Sequence, residues 1–183
     1  HTALGNTAWA GLDAAKEALP SLEVELLDLA EKSIPGYVAA GLPLREGDKD
    51  DFPEIIAKLE APEVAAIVLG TPTYFGNMSS LCKAFLERCV SCRKNHFSLA
   101  NKVLGVVATG GSRNGGQATA IASIQVAMMA QDMIVIGDGQ PSPHTGTIFW
   151  AGDDGIAGDA IGMESAKSLG KHLANVAARL AAK

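Results

Sequence analysis

The sequence has no long hydrophobic segment, no excess of basic residues and few cysteines, and each absence excludes a class of protein. No apolar run reaches the roughly 20 residues of a membrane-spanning helix, and no signal peptide is visible. The net charge is −5, so the basic surface typical of nucleic-acid-binding proteins is missing. The three cysteines are an odd number on one segment, which is not the pattern of a disulfide framework. We therefore expect a cytoplasmic protein that binds neither membranes nor nucleic acid.

The composition that is present is typical of a globular protein. Hydrophobic residues make up 48% of the 183 residues and charged residues 19%, so we expect one domain, residues 1–183, with a sizeable core. The chain starts at His1, and its first residues have the pattern of a loop that enters a helix. We therefore expect further residues upstream of His1.

Strand-like and helix-like patterns alternate along the chain. Continuous apolar runs indicate buried strands, strict alternation indicates a half-buried strand, and helical spacing indicates amphipathic helices. The predicted strands are 22–29, 64–70, 102–109 and 132–137. The predicted helices are 5–19, 49–59, 78–93, 117–131 and 158–182, with 30–48 and 138–157 irregular.

This alternation predicts a parallel sheet with helices on both faces. A first helix without a preceding strand breaks the pattern, and one strand before His1 would restore it. The fold would then be a flavodoxin-like three-layer α/β sandwich with a five-stranded parallel sheet of order 2-1-3-4-5. In that order the strand before His1 is central.

Three loops would follow the carboxyl ends of neighbouring strands, where open parallel sheets bind ligands. The first, "GNT", either offers backbone N–H groups to a phosphate or only caps a helix. The second, "TPTYFGN", either provides a flat edge with two aromatics or is an ordinary turn in which Asn77 caps the next helix. The third, "TGGSRNGGQ", either lets its backbone approach a ligand or is a flexible turn, and Arg113 is better explained as a solvated charge than as a phosphate ligand. Together they suit a planar, phosphate-bearing ligand such as FMN.

The segment "GTPTYFGNMSSLCKAFLER", residues 70–88, resembles the signature of the NADPH-dependent FMN reductase superfamily, near its WrbA-type NAD(P)H:quinone oxidoreductases and its iron–sulfur flavoproteins. The similarity extends through "GNT", "KDDFPEI", "VATGGSRNGGQ" and "GDDGIAGDAIGMESAKSLGKHLANVA", and so covers most of the chain. It implies three groups of FMN-binding residues. They are Gly5, Asn6 and Thr7 at the phosphate; Pro72, Thr73, Tyr74, Phe75, Gly76 and Asn77 at the isoalloxazine; and Thr109, Gly110, Gly111, Ser112, Gly115, Gly116 and Gln117 around the pocket.

The resemblance also implies an activity. A hydride would pass from NAD(P)H to FMN and on to a quinone or flavin acceptor, and both substrates would use the same flavin face in turn. No protein residue is predicted to be catalytic, because the cofactor carries the reaction. A homodimer or homotetramer is expected, with residues 30–48 or 138–157 at an interface and Ile148, Phe149 and Trp150 as its apolar anchors; packing within the subunit is the alternative. An electron-transfer flavoprotein without nicotinamide turnover and a flavin-free scaffold or nucleotide-binding module remain the other two functions.

The sequence differs from the iron–sulfur flavoproteins in the cysteines that would bind an iron–sulfur cluster. Iron–sulfur flavoproteins carry a compact cysteine motif just before the "KDD" segment, whereas "SIPGYVAAGLPLREGDKDD" contains no cysteine. Because a cluster needs thiolate ligands, we expect a flavoprotein without one, whose long loop covers the flavin or contacts another subunit.

Other possible sites are weaker. Cys82, Cys89, Cys92 and His96 could bind a metal, but the cysteines also continue an apolar helix stripe, so we predict no metal site. "GDDG" with Asp159 fits turns and a helix cap better than a calcium loop, and His144 is a weak candidate for contact with flavin or quinone. Neither a Walker A sequence nor a Gly-x-Ser-x-Gly elbow is present.

Overall fold

The computed structural model describes residues 16–17, 20, 22–141, 143–153 and 155–182. Most of the predicted helix 5–19 lies outside these residues. The strands are β1 (Ala66–Tyr74), β2 (Asn77–Met78), β3 (Val103–Gly110), β4 (Ile134–Val135) and β5 (Thr147–Trp150). The α-helices are α1 (Phe52–Glu60), α2 (Ser80–Arg88), α3 (Val90–Lys94), α4 (Gln117–Met129) and α5 (Ala160–Ala181), and 3-10 helices cover Gly36–Ala40 and Ile156–Gly158. None of the described helices has the length and apolar character needed to cross a bilayer.

The sheet is built around β3. On one side it pairs in parallel with β1 from Ala66–Val103 to Pro72–Thr109. On its other side β4 pairs with the start of β3 and β5 pairs with its end, both in parallel. The last two strands therefore form one edge strand that is interrupted by residues 136–146. The short β2 returns antiparallel beside the end of β1.

Alternate residues of the strands face two separate helical layers. On β3, Leu104 and Val106 belong to the core that includes α1, α2 and α4. Val103 and Val107 face the other way and pack with residues of α5. The predicted three-layer α/β arrangement is thereby confirmed, and β3 is a continuous apolar run because both of its faces are buried.

One predicted strand is absent from the structure, one strand was missed, and one is shorter than predicted. Residues 22–26 alternate between half-buried and exposed positions, as expected of a strand, but residues 22–29 form no ladder in the described part of the chain. A strand requires a hydrogen-bonded neighbouring strand as well as an alternation of apolar and polar residues. The segment 147–150, predicted irregular, is β5, because its four residues pair with β3 across a long sequence separation. The predicted strand 132–137 shrinks to Ile134–Val135.

An open cavity separates residues 22–29 from β1. Within residues 22–141, the β1 edge facing away from β3 has no strand partner before Thr73. The cavity measures about 720 Å³, and its apolar lining includes Leu26, Ile67 and Leu69. The predicted central strand would fit between these two extended segments, and it stays a prediction.

The long loop before α1 is held in place by the two aspartates at the start of that helix. The Oδ1 atom of Asp50 accepts the Phe52 N–H at 3.1 Å. The Oδ2 atom of Asp51 instead accepts the Ser33 N–H at 2.8 Å, and its Oδ1 atom lies 2.8 Å from the Lys49 ammonium. Asp51 thereby ties residue 33 to the start of α1.

The Asp51 contacts predict an acid-sensitive contribution to stability. The Lys49 ammonium and the Ser33 N–H hold the pKa of Asp51 below its usual range. The folded-state pKa is therefore below the unfolded value of about 3.9, so the stabilisation is present at neutral pH and is lost as the pH falls through the folded pKa. We expect Asp51→Asn to lower the melting temperature at pH 7, and the difference from the unsubstituted protein to shrink below about pH 4. A difference that stays constant in melting curves from pH 7 to pH 3 would contradict this assignment.

Candidate functional site

Three strands end side by side at one edge of the sheet. Pro72 of β1 pairs with Thr109 of β3, and Gly110 of β3 pairs with Trp150 of β5. The segments that follow β1 and β3 therefore leave the sheet next to each other, at the carboxyl edge where such sheets bind ligands.

The segment after β1 is a tight hairpin. Phe75 and Gly76 are its two central residues, with φ angles of 49° and 79°, a pair of positive values that is typical of a type I′ turn. Phe75 is fully exposed and Tyr74 is 61% exposed. The hairpin therefore presents two aromatic rings to solvent. The alternative in which Asn77 caps the next helix is wrong, because Asn77 lies in β2 and Ser79 is the cap.

Hydroxyl groups anchor the base of the hairpin. Thr71 is completely buried, and its Oγ1 atom accepts the Ser79 N–H at 3.1 Å and donates to the Pro72 carbonyl at 2.9 Å. The Ser79 Oγ atom accepts the Cys82 N–H at 3.2 Å and so caps α2. These bonds couple the position of the hairpin to the start of α2.

Gly116, directly before α4, touches the hairpin. Its φ angle is 96°, and a Cβ atom built there would lie 2.4 Å from the Gly76 Cα atom. No other residue type fits between these two backbones without moving one of them. This contact brings the second and third predicted loops together.

Two side chains hydrogen-bond to backbone carbonyls of the glycine-rich loop 111–116. Gln117 is 2% exposed, and its Nε2 atom donates to the Ser112 carbonyl at 2.7 Å. Trp150 donates from Nε1 to the Gly111 carbonyl at 3.2 Å. The Arg113 guanidinium lies 4.3 Å over the Trp150 ring, a cation–π contact that neither explanation of Arg113 included. Trp150 was expected at a subunit interface, and its role in supporting this loop was missed.

Two buried hydroxyls at this edge have no hydrogen-bond partner. Among the described residues, three buried side-chain oxygens are unpartnered, and two of them are the Oγ1 atoms of Thr73 and Thr109. Buried polar groups are usually satisfied, because an unmade bond costs about 1–3 kcal/mol. Both threonines lie at the carboxyl edge, where a polar ligand would supply the partner. Their chemistry fits a flavin, whose ring edge carries hydrogen-bonding nitrogen and oxygen atoms.

The structure brings most of the predicted FMN-binding residues together. The hairpin group and the glycine-loop group both lie at this edge, whereas Gly5, Asn6 and Thr7 lie outside the described residues. His144 does not join them: its Nδ1 atom lies 3.1 Å from Asp138, beside the interruption between β4 and β5. Phe149 is completely buried, so it is not an interface anchor.

The three cysteines belong to the core. Cys82, Cys89 and Cys92 are 6%, 0% and 0% exposed and pack in the cluster beneath α2 and α4. Burial raises the pKa of Cys82 to about 11, and a hydrogen bond that the Cys89 thiol donates to Cys92, together with burial, raises the pKa of Cys89. His96 is exposed, beyond the end of α3. The thiols of Cys82 and Cys89 therefore stay protonated as packing groups, and the apolar-stripe explanation holds for all three cysteines.

The Oδ1 atom of Asp159 accepts the Gly162 N–H at 3.1 Å, so Asp159 caps α5, as predicted.

Comparison with known families agrees with this geometry. The family model described as NADPH-dependent FMN reductase matches residues 5–147, which include both the hairpin and the glycine-rich loop. The chain belongs to the NADPH-dependent FMN reductase family. Members of this family are flavin-binding oxidoreductases with a flavodoxin-like fold.

The relatives described here are named either as iron–sulfur flavoproteins or as NAD(P)H dehydrogenases (quinone). An iron–sulfur flavoprotein of Methanocaldococcus jannaschii is 39% identical over 85% of this chain and 81% of its own length. An NAD(P)H dehydrogenase (quinone) of Paracoccus denitrificans is 33% identical over 84% of this chain and 81% of its own length. The crystal structure of a WrbA-like flavodoxin from Agrobacterium tumefaciens superposes with a TM-score of 0.63 at 21% identity, covering 94% of this chain and 90% of that one.

The iron–sulfur relatives raise the question of a cluster in this member of the family. Residues 30–48 contain no cysteine, and the chain's three thiols are buried among core side chains. Cluster ligation would require several thiolates facing one space. The described residues therefore do not fit an iron–sulfur cluster, and no electron-transfer step is assigned to one.

Proposed function

We propose that this protein is an FMN-dependent NAD(P)H oxidoreductase whose acceptor is a quinone or a second flavin. The observation that carries the proposal is the pair of unpartnered buried hydroxyls, Thr73 and Thr109, near the carboxyl ends of the neighbouring strands that lead into the aromatic hairpin and the glycine-rich loop. The hairpin contains neither an acid nor a base. A site of this kind suits a cofactor that brings its own chemistry.

Each part of the site would have a separate task in binding. The Thr73 and Thr109 hydroxyls would hydrogen-bond the polar edge of the isoalloxazine, and backbone N–H groups of residues 71–77 would stabilise negative charge there. Tyr74 and Phe75 would cover one side of the ring. Gly110, Gly111, Ser112, Gly115 and Gln117 would complete the pocket, and Gly5, Asn6 and Thr7 would border the phosphate.

The chemistry would be two-electron transfer. FMN held by these residues would supply two-electron redox chemistry between NAD(P)H and the acceptor. Both substrates would use one exposed ring face in turn, so the protein needs only to hold the ring and leave that face open. The exposed hairpin leaves room for such an exchange.

The experiment is a visible absorption titration of the purified protein, with FMN and then NADPH or NADH under exclusion of oxygen. Bleaching of a bound-flavin spectrum, followed by reoxidation with a quinone, supports the proposal. Flavin that binds but is reduced by neither nicotinamide favours an electron-transfer flavoprotein, and failure to bind FMN refutes the proposal. Iron and sulfide analysis of the same sample tests the expected absence of a cluster.

Replacing either hydroxyl should raise the stability of the FMN-free protein but lower its affinity for FMN. Thr73→Val and Thr109→Val each remove an unpartnered buried oxygen, so the FMN-free protein should gain about 1 kcal/mol of stability. Each should also weaken FMN binding about tenfold, because the bound flavin loses a hydrogen bond. Denaturant unfolding without FMN and a flavin fluorescence titration measure the two effects.

Thr147→Val is the matched control for these variants. Thr147 is completely buried, but its hydroxyl accepts a hydrogen bond from Ser165 at 3.1 Å. Its replacement should therefore lower the stability of the FMN-free protein and leave FMN affinity unchanged. If Thr73→Val and Thr109→Val behave like this control, the hydroxyls are not flavin ligands.

A further inference from the structure

Two of the three cysteines are in contact at the junction of α2 and α3. Cys89 ends α2 and is also the N-cap of α3, and its carbonyl accepts the Cys92 N–H at 3.0 Å. Residues three apart in a helical turn have Cα atoms about 5 Å apart, inside the range of about 4.4–6.8 Å seen in disulfides. The Cys89 thiol donates a hydrogen bond to the Cys92 sulfur. The two sulfur atoms are therefore neighbours in the reduced protein.

This contact makes the two thiols chemically different. The hydrogen bond from Cys89 holds the pKa of Cys92 below its usual value, against the effects of burial and of the Glu60 carboxylate. The same hydrogen bond keeps the Cys89 thiol protonated. Cys-x-x-Cys motifs lower the pKa of one cysteine in this way, and the thiolate is the form of cysteine that reacts.

A short exposed loop starts and ends at Cys92. Residues 93–97 are exposed, and the Cys92 carbonyl accepts the Ser98 N–H at 3.2 Å, which closes the loop. The Glu60 carboxylate holds it to the end of α1, because it accepts the Ser98 hydroxyl at 2.5 Å. His96 and Phe97 have φ angles of 52° and 54°, which are unfavourable for side chains of their size. Opening of this loop relieves both conformations and gives a small oxidant a route to the buried Cys92.

We propose that Cys89 and Cys92 are a redox-active pair, which a hydroperoxide such as hydrogen peroxide oxidises to an intrachain disulfide. The reaction has two steps. The Cys92 thiolate attacks one peroxide oxygen, the O–O bond breaks, and the departing hydroxide takes up a proton to form water, which leaves a sulfenic acid at Cys92. The Cys89 sulfur then attacks the Cys92 sulfur, the S–O bond breaks, and the hydroxyl group leaves with the Cys89 proton as a second water. The two thiols lose two electrons, and one peroxide is reduced to two waters.

The test exposes the complete protein to excess hydrogen peroxide, removes the peroxide with catalase, and alkylates the remaining thiols with iodoacetamide after unfolding. Trypsin cleaves after Arg88 and Arg93, so both cysteines lie in the peptide 89–93, whereas Cys82 lies in a separate peptide that ends at Lys83. We expect the peptide 89–93 to lose the mass of two hydrogen atoms and to take up no iodoacetamide. Dithiothreitol should restore both thiols, and Cys82 should remain available for alkylation throughout.

Alanine variants separate the roles of the cysteines. Cys89→Ala removes the thiol that closes the disulfide, so a sulfenic acid should accumulate at Cys92 and be trapped by dimedone. Cys92→Ala removes the attacking thiolate, so oxidation of Cys89 should be slower by about tenfold or more. Cys82→Ala is the matched control and should leave the rate of disulfide formation unchanged. Glu60→Gln removes the charge that opposes ionisation of Cys92, so the disulfide should form several-fold faster.

The possible results are distinct. A disulfide within the peptide 89–93, with a dimedone adduct at Cys92 in Cys89→Ala, supports the pair. A peptide 89–93 that keeps two alkylatable thiols, a disulfide that includes Cys82, or unslowed oxidation of Cys89 in Cys92→Ala each overturn it. Melting curves verify that each variant is folded, and the first two of these results come from the unsubstituted protein. None of the readouts depends on FMN binding or on oxidation of NAD(P)H.

Discussion

Replacing Gly116 with alanine is expected to lower FMN affinity by about 30-fold or more, on the order of 2 kcal/mol, and to destabilise the protein by about 2–4 kcal/mol. Two causes act together. The φ angle of 96° is unfavourable for alanine by about 1–2 kcal/mol, and the new Cβ atom would lie 2.4 Å from the Gly76 Cα atom. The atom it meets is backbone, so the hairpin itself must move. Fluorescence titration with FMN and denaturant unfolding measure the two losses.

Gly41→Ala separates these two causes. Gly41 also has a positive φ, 84°, but a Cβ atom there would have no neighbour within 4 Å. Its substitution should cost about 1–2 kcal/mol of stability and leave FMN affinity unchanged. If Gly116→Ala behaves like Gly41→Ala, the contact between the glycine-rich loop and the hairpin is not required for binding.

Arg88→Leu is expected to destabilise the protein by about 3–5 kcal/mol. The Arg88 guanidinium holds the Asp50 carboxylate with two bonds of 3.0 and 2.8 Å and lies 4.6 Å from the centre of the Phe52 ring. The two charged side chains are only 9% and 14% exposed. Removing the cation leaves a buried carboxylate unpaired, which costs much more than the pair contributes. Denaturant unfolding of the FMN-free protein measures the loss.

Two further variants make this prediction specific. Lys83→Ala removes the exposed Lys83–Glu87 pair from the same helix and should cost less than about 0.5 kcal/mol. Adding Asp50→Asn to Arg88→Leu removes the unpaired charge but keeps an oxygen for the Phe52 N–H, so part of the stability should return. A double variant that is less stable than Arg88→Leu would show that the unpaired carboxylate is not the cause of the loss.

The local pattern of apolar residues predicted the central strands of the sheet. It missed the strand that forms only because a strand distant in sequence pairs with it. The runs at 64–70 and 102–109 were recognised because a central parallel strand is apolar throughout. The segment 22–29 has a strand's alternation without a described partner, and 147–150 is a strand only because β3 lies beside it. Pairing across a long sequence separation leaves little trace in a short segment.

By itself the sequence determined that this is an α/β protein with ligand-binding loops after successive strands, and the segment at 70–88 pointed to its family. Only the tertiary structure decided that Gly116 meets Gly76, that Trp150 supports the glycine-rich loop, and that the Thr73 and Thr109 hydroxyls are buried without partners. Hydrophobic periodicity reports which face of an element is buried. It does not report which distant side chain or backbone atom that element meets, because those contacts depend on the packing of the whole chain.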